Sequence, residues 1–114
     1  AAFHQMLKAS KNARVVGLTS SVGSTPRAFW GAYGATKAAF DNLLVSYAQE
    51  IATTTAIRVA VVDPGATRTA MRAKAYPGED PASVKAPEVV ADAIVALCGE
   101  QFASPHRLRV NQPA

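Results

Sequence analysis

The chain has 114 residues, of which 49% are hydrophobic and 18% charged, and its net charge is +4. One small domain with enough apolar surface for a packed core fits these values, and a disordered chain does not. No apolar run nears the roughly 18 residues of a membrane span, so no membrane partner is expected, and no signal peptide is read from the sequence.

The basic residues are scattered, and only Arg68, Arg72 and Lys74 cluster, with no stacking aromatics among them. They read as a solvated surface and not as a nucleic-acid interface. The single cysteine, Cys98, lies in an apolar helical run and has no internal disulfide partner. A reducing, cytoplasmic setting is the simplest expectation. No metal site is expected.

In chain order, residues 1–11 set Phe3, Met6, Leu7 and Ala9 among polar residues, the pattern of the last part of an amphipathic helix. Asn12 is a plausible stop. The β-branched run from Arg14 to Thr19 reads as a buried parallel strand. It ends at the turn residues Ser20, Ser21, Val22 and Gly23. Residues 24–32 read as a loop bearing Phe29 and Trp30. These two either pack the loop onto the core, the favoured reading, or line a substrate pocket.

The longest helix is expected from Tyr33 to Thr53. Its apolar residues form more than one stripe, so the sheet covers one face and another body, such as a second subunit, covers the other. Ala56–Val62 is a second buried strand, stopped by Asp63-Pro64-Gly65. A Pro-, Gly- and acid-rich loop runs from Tyr76 to Ala86, and Pro87-Glu88 opens a further helix. Residues 107–111 alternate and suit a last strand at a sheet edge. Strands separated by helices define an α/β fold with a parallel sheet and right-handed crossovers.

The chemistry centres on Tyr33-Gly-Ala-Thr-Lys37. Residues four apart share a helix face. A free phenol has a pKa of about 10, and a neighbouring ammonium favours its ionised form. Such a pair suits general acid–base work on an alcohol or carbonyl. Ser20 precedes Tyr33 by 13 residues, and Asp63-Pro64-Gly65 follows the next strand. In α/β sheets, ligands bind outside the carboxyl ends of the strands, where all three pieces meet.

Ser20, Tyr33-Gly-Ala-Thr-Lys37 and Pro64-Gly-Ala-Thr-Arg-Thr69 together resemble the short-chain dehydrogenase/reductase family. The spacing selects Ser20, although a shift of one residue would substitute Ser21. The wider strings around these motifs look like a bacterial branch whose substrates are mostly unassigned. The resemblance implies a Rossmann-like parallel sheet with flanking helices and a dependence on NAD or NADP. It implies a reaction that interconverts a small-molecule alcohol and a ketone. Tyr33 would be the general acid or base. Lys37 would lower the Tyr33 pKa and hold the nicotinamide ribose, and Ser20 would polarise the substrate carbonyl. Pro64, Gly65, Thr67 and Thr69 would border the nicotinamide. Read without the resemblance, Ser20 is a capping hydroxyl, and Thr67 and Thr69 are helix N-caps.

The family's glycine-rich dinucleotide turn is not found in the 114 residues, and neither is its upstream Asn. The chain therefore reads as a single partial domain over 1–114, the later half of a doubly wound domain. Weak dinucleotide binding is expected of it. The alternative is an inert remnant that serves as an association module, a homo-oligomer formed through the Tyr33–Thr53 helix. A third reading is that the sequence omits residues of a longer protein.

Overall fold

The computed structural model describes residues 2–111. Helix α1 spans His4–Ala9, strand β1 Arg14–Leu18, helix α2 Gly31–Ile51 and strand β2 Arg58–Asp63. Helices α3 (Ala70–Ala75) and α4 (Pro87–Gly99) follow, and strand β3 is His106–Arg109. Single 3₁₀ turns cover Ser21–Gly23 and Pro81–Ser83.

The sheet has the order β1-β2-β3 and both pairings are parallel. The register sets Arg14 beside Arg58, Leu18 beside Val62 and Asp63 beside Arg109. β2 is the centre, and Val59, Ala60, Val61 and Val62 are wholly buried. Because side chains alternate across a strand, β2 feeds two cores. Val59 and Val61 pack with Leu44, Ala48 and Ile51 of α2. Ala60 and Val62 pack with Val90 and Leu97 of α4 and with Phe102. The apolar run of β2 therefore has helix cover on both faces, as a parallel sheet requires. The α/β class read from the alternation of elements, and the Rossmann-like parallel sheet that the resemblance implies, are the ones observed.

Several boundaries differ from the expectation. α1 ends at Ala9, where Ser10 turns to extended backbone, before Asn12. α2 starts two residues ahead of Tyr33, so that Gly31 already lies in its first turn. Residues 66–72, given no element, contain the start of α3, which is capped by the Thr69 hydroxyl. The last strand begins at His106 and stops at Arg109. Phe29 does not pack the loop onto the core. It is fully exposed and sits on left-handed backbone with φ 69°. Cys98, in the expected apolar helix, is exposed.

Candidate active site

The site is built at the carboxyl ends of β1 and β2. Beyond Leu18 the strand pairing continues for one bond, with the Thr19 amide donating to Val62 O at 2.8 Å. With Leu18 opposite Val62, the turns that leave β1 at Ser20 and β2 at Pro64 open on the same edge of the sheet. Ser20 is extended (φ −150°, ψ 148°), and its hydroxyl accepts weakly from the Val22 amide at 3.4 Å. It is thus the cap of the turn, and its own O–H remains free to donate.

The first turns of α2 lie against that serine turn. A Cβ on Gly34 would come within 2.9 Å of the Val22 carbonyl, and one on Gly23 within 3.3 Å of the Lys37 Cβ. Glycine at both places lets helix and turn approach this closely. Lys37 donates from Nζ to the carbonyl of Leu18, the last residue of β1, at 3.2 Å. The same ammonium lies 5.8 Å from the Tyr33 ring centroid and 5.9 Å from that of Phe40. Tyr33 is half-buried, and its hydroxyl makes no hydrogen bond among the described residues. Ser20, Tyr33 and Lys37 are therefore gathered around the end of β1.

A cavity of about 270 Å³ opens beside Ser20 toward β3 and is lined by Thr19, Asp41, Asp63 and Arg107 among others. Tyr33 and Lys37 are not in its walls. Asp41 and Arg107 face each other there through two hydrogen bonds of 2.9 and 3.0 Å, tying α2 to β3. That hydrogen-bonded carboxylate holds the Arg107 guanidinium above its ordinary pKa.

The turn after β2 is built around Gly65, on left-handed backbone with φ 66°. Asp63 Oδ1 accepts from the Gly65 amide at 2.9 Å. The Thr67 hydroxyl donates back to Gly65 O at 3.1 Å, so Thr67 closes the turn and is not a helix cap. Thr69 does cap, accepting from the Arg72 amide at 3.1 Å. As an acceptor there, Thr69 keeps its O–H for a further partner.

Two features went unread in the sequence. First, the segment after the turn folds back over Tyr33. Tyr76 stacks on Trp30 at 5.9 Å, and Trp30 meets the Tyr33 ring edge-on at 5.6 Å. Arg72 lies 3.8 Å over the Tyr76 ring. Its guanidinium also forms a two-point bond to Glu79 at 2.9 and 2.7 Å. This bond holds the Glu79 carboxyl below, and the Arg72 guanidinium above, their ordinary values. Arg72, first taken as a solvated charge, is thus a tether. Trp30 does not pack the loop onto the core as expected either: its ring contacts are Tyr33 and Tyr76, which lie outside both core clusters. Second, Lys85 is buried beneath the Gly65 turn, at 6% exposure. Neither had a signal in the residue order: Glu79 lies beyond the end of α3, and Lys85 sits in the Pro-, Gly- and acid-rich stretch before α4.

The fold and these residues define a class. Residues 1–80 match the short chain dehydrogenase family, and the chain belongs to that family. It is 40% identical over 95 residues to the uncharacterized oxidoreductase YciK of Escherichia coli K12, covering 83% of this chain and 37% of that one. A short chain dehydrogenase structure from Salmonella enterica serovar Typhi superposes with a TM-score of 0.90 at 32% identity. It covers 97% of this chain and 46% of its own. A short chain dehydrogenase from Shigella flexneri complexed with NADP gives 0.88 at 35% identity, covering 96% and 46%. The chain thus spans less than half the length of these relatives.

Among the described residues, no helix is long and apolar enough to cross a membrane. No group of three or more His, Cys, Asp or Glu is placed to hold a metal ion among them.

Proposed function

We propose that these residues form the substrate and nicotinamide side of an NAD(P)-dependent oxidoreductase that interconverts an alcohol and a carbonyl. One observation carries the reading. The Ser20 turn and the Tyr33–Lys37 helix turn are in contact at the end of β1, and the Gly65 turn lies one strand away. The Shigella flexneri relative complexed with NADP supports the choice of cofactor class.

The residues fit the nicotinamide portion of such a cofactor. Thr69 has a free donor for a carboxamide, and Lys37 offers a cation at the end of β1 for ribose hydroxyls. When bound, the cofactor supplies or accepts the hydride. In the reducing direction the Ser20 O–H donates a hydrogen bond to the substrate carbonyl oxygen. Tyr33 Oη passes its proton to that same oxygen as the hydride reaches the carbon. In the oxidising direction Oη takes the proton back. Lys37 Nζ, held by the Leu18 carbonyl, sits 5.8 Å from the Tyr33 ring centroid. Trp30 and Tyr76 wall the approach to Tyr33, so they belong to the substrate pocket. The reducing, cytoplasmic setting suggested by Cys98 suits this role.

Tyr33→Phe keeps the ring contacts and removes the proton carrier. Loss of NADPH-linked turnover of simple ketones by at least about 100-fold is expected. Unchanged turnover would end the proposal. The domain reading is the later half of a Rossmann-like domain. It predicts weak NADPH binding by the 114-residue chain, since no glycine-rich turn is among its residues.

A second reading has its own support. Phe40 and Leu43, three apart on α2, are 39% and 67% exposed. An association module would bury this face against a second copy. Light scattering on a dilute sample separates the two readings. A clean monomer argues against association.

A further inference from the structure

Lys85 is the one charged side chain among the buried described residues. Its place in the fold is specific. Its Nζ donates to the carbonyl of Ala66 at 2.8 Å. A Cβ on Gly65 would lie 2.9 Å from that same Nζ. The backbone of Lys85 grips the turn as well. Its carbonyl accepts from the Arg68 amide at 2.8 Å, and Thr67 pairs with Lys85 as an isolated parallel bridge. Lys85 therefore holds the segment Gly65–Arg68 twice, once by its main chain and once by its ammonium. It is anchored by buried Val84 on one side and by the start of α4 at Pro87 on the other.

Burying an ammonium is unfavourable, and it is the largest influence on Lys85, pushing its pKa down. The nearby Asp63 charge opposes this push, while Arg109 and Arg72 add to it. A methionine or leucine would fill the same space without that cost, although it would leave the Ala66 carbonyl without its donor. A charge kept in such a place points to a requirement other than stability.

We infer that Lys85 is a positioning residue: its buried ammonium fixes the Pro64–Thr67 turn, around the left-handed Gly65, in the shape that borders a nicotinamide. The inference rests on the proposed function for its ligand, and on the turn geometry alone for its mechanism. Without the ammonium, the Ala66 carbonyl loses its donor and the turn keeps only the main-chain grip.

The test uses Lys85→Met, which keeps the stem and removes the charge, with Lys85→Gln as the second variant should the first fail to fold. Three quantities are read: Tm, amide hydrogen exchange at Gly65 and Arg68, and binding of reduced nicotinamide mononucleotide followed by amide chemical shifts. That probe asks nothing of the adenosine side. Exchange at both amides is expected to rise about tenfold, with the β2 amides unchanged. Affinity for the mononucleotide is expected to fall about tenfold. Tm should change by no more than about 5 °C, because loss of the Ala66 bond and relief of the buried charge oppose each other.

A variant that binds as the wild type does, with unchanged exchange, overturns the inference. So does a variant whose Tm, global exchange and binding all fall together, because that is a merely structural residue. If the wild type itself does not bind the mononucleotide, the reading of the site fails. The exchange result then decides the clamp alone: local acceleration supports it and none overturns it.

Discussion

Replacing Gly65 by alanine probes the geometry of the site most directly. The backbone there has φ 66°, which costs an L-residue about 1–2 kcal/mol. The added methyl would sit 2.9 Å from Lys85 Nζ and 3.2 Å from the Val110 carbonyl. The lysine end can move, but moving weakens its 2.8 Å bond to Ala66, a loss of about 1 kcal/mol. The Val110 carbonyl cannot move freely, because the Val110 amide is bonded to Asp63 O at 2.9 Å. Alanine also restricts the unfolded chain, which offsets about 0.5 kcal/mol. The net loss is about 2 kcal/mol, or a fall in Tm of about 8 °C for a domain of this size. Gly78→Ala is the control. It has open space around the added methyl and no left-handed backbone, so a change within about 0.5 kcal/mol is expected. Thermal melts followed by circular dichroism at 222 nm read both. A Gly65→Ala melt within about 2 °C of the Gly78→Ala melt would refute the argument that this turn is conformationally pinned.

Other perturbations test other parts of the structure. The Glu79 carboxyl is held below its ordinary range by Arg72, so the stability this bond adds is present above the unfolded value of about 4.3 and is lost as pH falls through the lower folded value. Trp30, the single tryptophan, should then shift its emission to the red as Tyr76 leaves it, and Glu79→Gln should show the same shift at pH 7. Unchanged emission in both cases would disprove the tether. Val61→Ala, at a wholly buried position, should lower stability by about 2 kcal/mol, seen as an earlier urea midpoint. Asp41→Ala cuts the link from α2 to β3, but Arg107 is 59% exposed, so a loss of only about 0.5 kcal/mol is expected in the same urea assay.

Much of this structure was legible in residue order. β1 and β2 were plain because their runs are apolar and β-branched, and both are bounded by turn residues. α2 and α4 were plain from length and from Pro87. Pro64-Gly65 had to stop β2, and the fold confirms the turn with the left-handed Gly65. Other features were illegible for physical reasons. α3 is six residues long, too short for periodicity to show. Its start depends on the Thr69 cap. The Arg72–Glu79 bond crosses a loop, so it has no helical spacing to announce it. Trp30 and Tyr76 lie 46 positions apart in the sequence, and only the tertiary fold brings them together. Lys85 reads as a surface lysine until its burial under the turn is seen. The site residues themselves came from motif spacing, which sets the order of groups along the chain but not the walls of the cleft.

The purely parallel sheet has a kinetic consequence. Arg14 meets Arg58 and Ala60 meets His106, so every ladder must close a span of more than forty residues before its first rung forms. No hairpin is available as a seed, and that entropy is lost before any inter-strand contact compensates it. α2 and α4 can form locally and early, whereas β2 waits for partners from both ends. During synthesis β2 can pair with β1, which precedes it, and lay Val59 and Val61 on α2, whereas Ala60 and Val62 stay uncovered until α4 and Phe102 have left the ribosome.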